Sequence, residues 1–193
     1  PGESGKSGAH EAVDAQVSYF EGEVLINGVE AELGRSVPIG STVRTGERSY
    51  CDITFAQKNI FRIEPETITT ISIGNERKRI DLERGSIDAV FDRLENLAGL
   101  PEFTITSPSM AAGVRGTVFY VKVEDPDNTY LCTCFGTITQ RGADQTPEEA
   151  FDVTAFHHEA YRYTRRDEGT KIESAGLLYH DDESMEAVAE LID

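Results

Sequence analysis

What most constrains this chain is the alternation of its apolar residues between positions 17 and 140. Short runs in which Val, Ile and Phe take every second place are closed, one after another, by Gly, Asn or Pro. A period of two sends successive side chains to opposite faces of an extended strand, whereas a helix needs recurrence every three to four residues. In Tyr50–Phe55, Cys51, Ile53 and Phe55 fall on one face and Tyr50, Asp52 and Thr54 on the other. Asn59–Ile63 repeats the pattern with Phe61 and Ile63. Ile68, Ile71, Ile73, Ile80 and Leu82 supply further strands on either side of the charged turn Gly74–Arg79. Val24–Ile26 runs into Asn27-Gly28, a strong hairpin signal. About ten short strands at such spacing predict a mainly β chain, a β-roll, solenoid-like body or sandwich.

Three glycines recur where one strand ends and another opens: Gly22-Glu-Val24, Gly85-Ser-Ile87 and Gly136-Thr-Ile138. A glycine there lets a strand bend sharply into the next part of a sheet. Their unequal intervals exclude a strict short-period repeat. A fourth corner is predicted within Thr106–Val123. That stretch reads as strand, tight turn, strand, with Gly113 and Gly116 able to take positive φ without steric cost and Phe119, Val121 and Val123 alternating after them. Arg115 stands in this corner. It reads either as an anion hook or as a clamp across the turn, with the clamp the expected role.

These motifs, in this order, resemble the FecR-type domain. The specific part is Ala112-Gly-Val-Arg-Gly-Thr-x-Phe119. Gly22-x-Val24, Ile39-Gly-x-x-Val43-x-Thr-Gly46, Cys51-x-Ile-x-Phe55, Arg62-Ile-x-Pro65-x-Thr67-x-x-x-Ile71 and Leu82-x-x-Gly85-x-Ile87 extend the match over 17–140. The resemblance implies an all-β body lying outside the cytoplasmic membrane. Many members of that family regulate iron-uptake genes by contacting a transporter and an inner-membrane σ-factor circuit; others are uncharacterised secreted or surface proteins. For this chain it implies a non-enzymatic binding or signalling module of an exported bacterial protein at the cell envelope, periplasmic or extracellular. Its expected partner is a protein or an envelope polymer. The expected organisation is a flexible linker over 1–16, the β domain over 17–140, and a small C-terminal α/β appendage over 141–193 ending in a short helix.

Charge narrows the partners. Eighteen basic residues against thirty-five acidic ones leave a net charge of −17, which disfavours nucleic acid, whose phosphates require a cationic footprint. It equally disfavours anionic membrane surfaces. No apolar run approaches the ~20 residues of a membrane span, so no direct membrane insertion is expected. A start at Pro1 in a polar Gly/Ser-rich stretch suits a chain trimmed after a signal peptide. Gly2-Glu-Ser-Gly-Lys-Ser7 imitates the end of a phosphate-binding loop, but neither the preceding strand nor the first glycine is there.

The residues with most chemical potential are Cys132 and Cys134, followed by His157, His158 and His180. Side chains two apart on a strand share a face, which brings both sulfurs within reach of one ion. Two thiolates and one or two imidazoles make a soft tetrahedral set suited to zinc or iron. The 22 residues between Cys134 and His157 are enough for the chain to fold back over the strand. Adjacent histidines on an extended segment point to opposite sides, so only one of His157 and His158 can join. The competing reading treats both cysteines as small buried apolar residues. A metal-binding or redox protein is accordingly the alternative function. Cys51 is expected in the core between Ile53 and Phe55.

Two acidic stretches, Glu124–Asn128 and His180–Glu183, lack the ligand pattern of a calcium-binding EF-hand loop. The first reads as a hairpin loop between strands at 117–123 and 129–135. The second reads as a helix start capped by Asp181 or Asp182, with Met185, Val188, Ala189, Leu191 and Ile192 forming an apolar stripe over about 183–192. No glycine-framed serine, catalytic triad order or paired-carboxylate motif stands out, and catalysis is not expected.

Overall fold

The computed structural model describes residues 14–56, 59–74, 76, 78–91 and 103–191. Gly2–Ser7, His10 and Ile192 lie outside the described residues. Among the described residues fourteen strands form one sheet. They are β1 (Gln16–Glu21), β2 (Val24–Ile26), β3 (Val29–Glu30), β4 (Ser41–Thr45), β5 (Tyr50–Phe55), β6 (Asn59–Ile63) and β7 (Ile68–Ile73). There follow β8 (Lys78–Phe91), β9 (Phe103–Thr106), β10 (Met110–Asp125), β11 (Asn128–Gly142), β12 (Phe151–Ala155), β13 (Glu159–Thr164) and β14 (Lys171–Ala175). Among the described residues one α-helix, α1 (Asp182–Ala189), comes last. The chain is thus mainly β with a small C-terminal helix, as the alternation predicts.

The long strands bend the sheet by changing partners along their length. Residues 78–84 of β8 pair with β7, whereas its second half pairs with β6 on one side and β10 on the other. The exchange falls at Gly85, whose φ is +89°. A Cβ there would lie 2.6 Å from Thr67 Cα, so the corner needs glycine both for its conformation and for its closeness. Likewise β10 pairs with β9 through Ala111–Val114 and with β8 through Val118–Val123.

The sequence predicts a tight turn between two strands at this second corner, where Gly113 and Gly116 are both free to turn left-handed. The structure has one continuous 16-residue strand instead. Val114 faces Ile138 and Thr117 faces Gly136, so three steps on β10 match two on β11, the extra residue of a β-bulge. Gly116 and, opposite, Gly136 take φ of +91° and +99°. Gly113 is paired on both sides, with Thr104 and Thr139, and stays extended. Arg115 lies exposed on the bulge.

Inside the bent sheet, Phe55, Phe91, Phe103 and Phe119 form an aromatic cluster with centroids 4.6 Å apart between Phe91 and Phe103 and 5.5 Å between Phe91 and Phe119. Ile53, Ile63, Ile80, Ile105, Leu131 and Ile138 complete a continuous core around it. Cys51 lies in that core beside Ile53 and Phe55, and burial, with some help from the Asp52 carboxylate, pushes its thiol up to about 12.

The outward face carries a different row. Cross-strand partners run Asp52–Arg62, Arg62–Asp88, Asp88–Tyr120, Tyr120–Cys132 and Cys132–Ala160, from β5 across to β13. Arg62 closes a two-pronged ion pair on Asp52 at 2.7 and 2.8 Å. Register therefore places Cys132 beside Tyr120 on the outside, while Leu131 on the same strand points into the core.

Beyond residue 140 the same sheet continues. β11 itself runs to Gly142, β12 and β13 pair with it in turn, and β14 adds to β13. The chain then crosses the outer face and ends in α1. The Asp181 carboxylate accepts from Ser184 N at 2.9 Å and caps it. Met185 packs with Tyr120, Tyr130, Cys132 and Cys134, and Val188 packs on Ile60 and Val90.

Candidate metal centre

The centre begins with strand periodicity. Cys132 and Cys134 lie two apart on β11, both turned outward, with their sulfurs 3.8 Å apart. Both are free thiols and both are buried.

The third group comes from an interruption in pairing. β12 lies against Gly136–Gln140 and β13 against Asn128–Thr133 of the same β11 edge, leaving residues 156–158 as a kink opposite Cys134. At that kink His158 takes φ of +44°, and its backbone N–H donates to the Cys134 carbonyl at 3.2 Å. The side chain swings inward, placing Nδ1 3.5 Å from Cys132 Sγ. His157 points away; its side chain is 72% exposed.

The fourth group arrives with the chain that leaves β14. The Tyr130 hydroxyl donates to the Gly176 carbonyl and accepts from Leu178 N, both at 3.1 Å. Tyr179 takes φ of +69°, and the His180 ring stacks on Tyr120 at 4.6 Å with 14° between planes. His180 Nε2 ends 3.2 Å from Cys134 Sγ.

Two sulfurs and two imidazole nitrogens thus lie within 4.8 Å of one another. Around a tetrahedral zinc, with Zn–S about 2.3 Å and Zn–N about 2.0–2.1 Å, sulfurs stand about 3.8 Å apart and sulfur and nitrogen about 3.5 Å. The side chains hold close to that spacing. Their outer atoms are also arranged for it. His158 Nε2 faces Asp182 Oδ1 at 2.7 Å, and His180 Nδ1 faces the Leu178 carbonyl at 2.9 Å. Each ring can donate outward, which leaves the inner nitrogen's lone pair directed at the sulfurs.

The local charges follow the same geometry. A hydrogen bond from the Cys134 thiol, joined by His180 and His158 and opposed by burial, brings Cys132 down to about 4. Cys134 is pushed up by that same hydrogen bond and by burial, so one proton is shared between the sulfurs. At His158 burial works against the imidazolium, but Asp182 and Cys132 outweigh it and its pKa is raised. Asp182 is lowered chiefly by its hydrogen bond from His158.

Of the five residues singled out in the sequence, Cys132, Cys134, His158 and His180 converge, and His157 stands outside with Asp182. Asp182, Tyr120 and Tyr130 escaped notice. Only Asp182 left a sequence signal, two places after His180, and it read as a helix start. The Glu124–Asn128 stretch is the β10–β11 hairpin. There Asp125 Oδ1 accepts from the backbone of Asp127 and Asn128, and Glu124 holds Arg162 by two bonds of 2.7 Å.

Comparison with known proteins supplies the family. Two crystal structures of a candidate anti-sigma factor from Parabacteroides distasonis ATCC 8503, at 1.65 and 2.50 Å resolution, share the fold with TM-scores of 0.54 and 0.53. Identity is 11% and 12%; each match covers 70% of this chain and 59% of the other, so the chain spans less than two thirds of those structures' length. No curated protein matches the chain. The family model for FecR protein matches residues 41–138, from the start of β4 to the bend of β11 just past Gly136. The matched segment contains the Gly85 and Gly116 corners and both cysteines, and makes up just over half of the sequence: the chain belongs to the FecR family.

Proposed function

We propose that this FecR-family chain is a non-enzymatic binding or signalling module of an exported protein at the bacterial cell envelope. In this reading zinc held by Cys132, Cys134, His158 and His180 joins its C-terminal segment to the β body. The observation that carries the metal reading is the convergence of four ligand atoms within 4.8 Å, each imidazole backed by its own acceptor. Two thiolates neutralise a divalent cation and four protein donors close its shell, the pattern of a structural site. The fold-level likeness to a candidate anti-sigma factor supports a signalling role with a protein partner.

Energetics favour a structural ion. Among residues 176–191 only Met185 and Val188 are fully buried. Each contributes roughly 1.5–3 kcal/mol, a thin anchor for a segment whose ordering costs about 1–2 kcal/mol per residue. Structural zinc binds with an apparent ~10–16 kcal/mol in small domains, and that energy becomes folding energy.

Elemental analysis of protein purified without a histidine tag tests the reading: one zinc per chain is expected, lost in a Cys132→Ser, Cys134→Ser double variant. Iron bound through the same thiolates would reveal itself by visible absorption. Native protein that takes up no metal, or a double variant with unchanged metal content, would return both cysteines to ordinary core packing. Fractionation of the native host tests the address, where recovery in the cytoplasm would sink the envelope assignment.

A further inference from the structure

We propose that occupancy of this centre decides whether residues 176–191 cover the outer face of the sheet, so that the metal is a latch as well as a brace. The inference rests on the metal reading above and adds a consequence for the protein's surface. The ligands are divided between two parts of the chain. Cys132 and Cys134 stand on β11, and His158 stands on the kink that β12 and β13 hold against that strand. His180 lies past the end of β14, in a stretch that joins no strand. It is the ligand that departs if its segment departs.

The contacts that hold this segment are mostly directional, and Tyr179 adds Lys122 over its ring at 4.6 Å and an edge-on contact with Tyr130 at 5.3 Å. They include the two hydrogen bonds of the Tyr130 hydroxyl, the stacking of His180 on Tyr120, the Asp182–His158 pair, and the buried Met185 and Val188. Tyr179 adds a hydrogen bond to Glu124. Helix α1 has eight residues, short of the ~12–15 that an isolated helix needs in water. His158 and Tyr179, one a ligand and the other next to one, are held left-handed at φ +44° and +69°. Non-glycine residues persist in that region only where their surroundings over-determine it. An ion bound to the ring of His158, and to the ring that follows Tyr179, supplies that constraint.

The covered face carries apolar side chains beside the Asp88 carboxyl. Ile60, Val90, Tyr120, Tyr130 and Ala160 are all more than nine-tenths buried, and with the segment lifted they form a strip across β6, β8, β10, β11 and β13. A change in metal supply at the cell exterior would thus become a change in exposed surface, the kind of output that a binding module can use.

Hydrogen exchange on the full chain, zinc-loaded and after zinc removal by EDTA, tests the latch, with zinc content measured in parallel. Zinc removal is expected to raise exchange at 176–191 by tenfold or more, leave β10 and the core half of β11 protected, and reverse on adding zinc back. Linkage adds a reciprocal requirement: Val188→Ser, which touches no ligand, must weaken zinc binding by the same factor by which it loosens the segment. If zinc binds but its removal leaves 176–191 protected, the latch is wrong and the metal reading stands. If zinc removal melts the whole sheet together, the latch is equally wrong, because the ion then holds the fold. Absence of zinc binding at any concentration overturns both.

Discussion

Strand β11 is buried on both faces, and the two faces are closed by different means. Leu131 and Ile138 look inward to a core fed by strands from one end of the sheet to the other, with Phe55, Phe91, Phe103 and Phe119 at its centre. Tyr130, Cys132 and Cys134 look outward and are closed by a single crossing segment with few buried side chains. The inner closure is non-directional and shared among many residues, so no single contact carries it. The outer closure depends on hydrogen bonds and ring stacking at particular atoms and on two buried side chains, Met185 and Val188. One sheet therefore keeps a robust body on one side and, in the latch proposed above, a condition-dependent surface on the other.

Cutting into the inner face should have the largest effect on stability. Phe119 is fully buried and meets Phe91 edge-on at 5.5 Å, so Phe119→Ala is expected to cost about 3–5 kcal/mol. Urea unfolding reads the loss, while the folded fraction should still carry one zinc. A cost below about 1 kcal/mol would mean that the inner core is not what holds the sheet.

Next comes the corner that bends the inner face around the core. Gly85→Ala must place a methyl 2.6 Å from Thr67 Cα at a φ of +89°. The expected cost is roughly 2–3 kcal/mol, from left-handed backbone strain together with overlap. The same unfolding assay measures it, and a neutral variant would show that the bend has another cause.

The corners were legible in the sequence because glycine at a strand junction has a local reason to be there. Gly22, Gly85 and Gly136 all take positive φ, as does the Asn27-Gly28 hairpin, at +53° and +79°. Strand existence was legible for the same reason, since alternation is a property of neighbours in sequence. Pairing was not. β4 lies beside β7 and β6 beside β8, and periodicity gives a strand its faces but not its partners. The bulge at Val114–Thr117 reads as a turn in the sequence because it exists only in register with β11. The site divides similarly: Cys132 and Cys134 on one face follow from the period of two, but the choice of His158 over His157 hangs on one left-handed residue. Asp182 as the partner of His158 depends on where the C-terminal segment crosses.

The outer face also carries a buried acid whose behaviour separates the two faces by pH. Burial, then a hydrogen bond with the Glu64 carboxyl, push Asp88 up to about 8, with Arg62 pulling the other way. One of its oxygens has no hydrogen-bond partner. The folded chain keeps this proton to about pH 8, whereas an ordinary aspartate releases it near 3.8. Between those values the folded state binds more protons than the unfolded state, so this group's contribution to stability falls as pH rises and levels off above about 8. Asp88→Asn should remove that slope and gain on the order of 1–2 kcal/mol at pH 8, with little change at pH 4. Urea midpoints at the two pH values decide it; an equal shift at both would assign the effect to packing.

Asp182→Asn probes the outer face more gently. The carboxylate lies on the surface but accepts from His158 at 2.7 Å. Loss of such an outer-sphere partner typically weakens metal binding by 10–100-fold. A tenfold drop in zinc affinity is expected, measured by competition with a chromogenic chelator, while helix capping by Asp181 is retained. Unchanged affinity would detach Asp182 from the centre.

The smallest expected effect is also the sharpest test of which face each histidine serves. His157 and His158 are neighbours, yet the left-handed backbone at His158 sends one ring to the sulfurs and the other outward. The His157 side chain is 72% exposed, and its only described charged partner is Asp182 at 3.9 Å, itself on the surface. Exposed pairs of that kind contribute little. His157→Ala should therefore leave zinc stoichiometry and affinity unchanged and alter stability by less than about 0.5 kcal/mol, whereas His158→Ala should lose the ion. If the two variants behaved in reverse, the kink between β12 and β13 would have to turn the other way. The outer face would then be closed by a different set of atoms from those that converge in this structure.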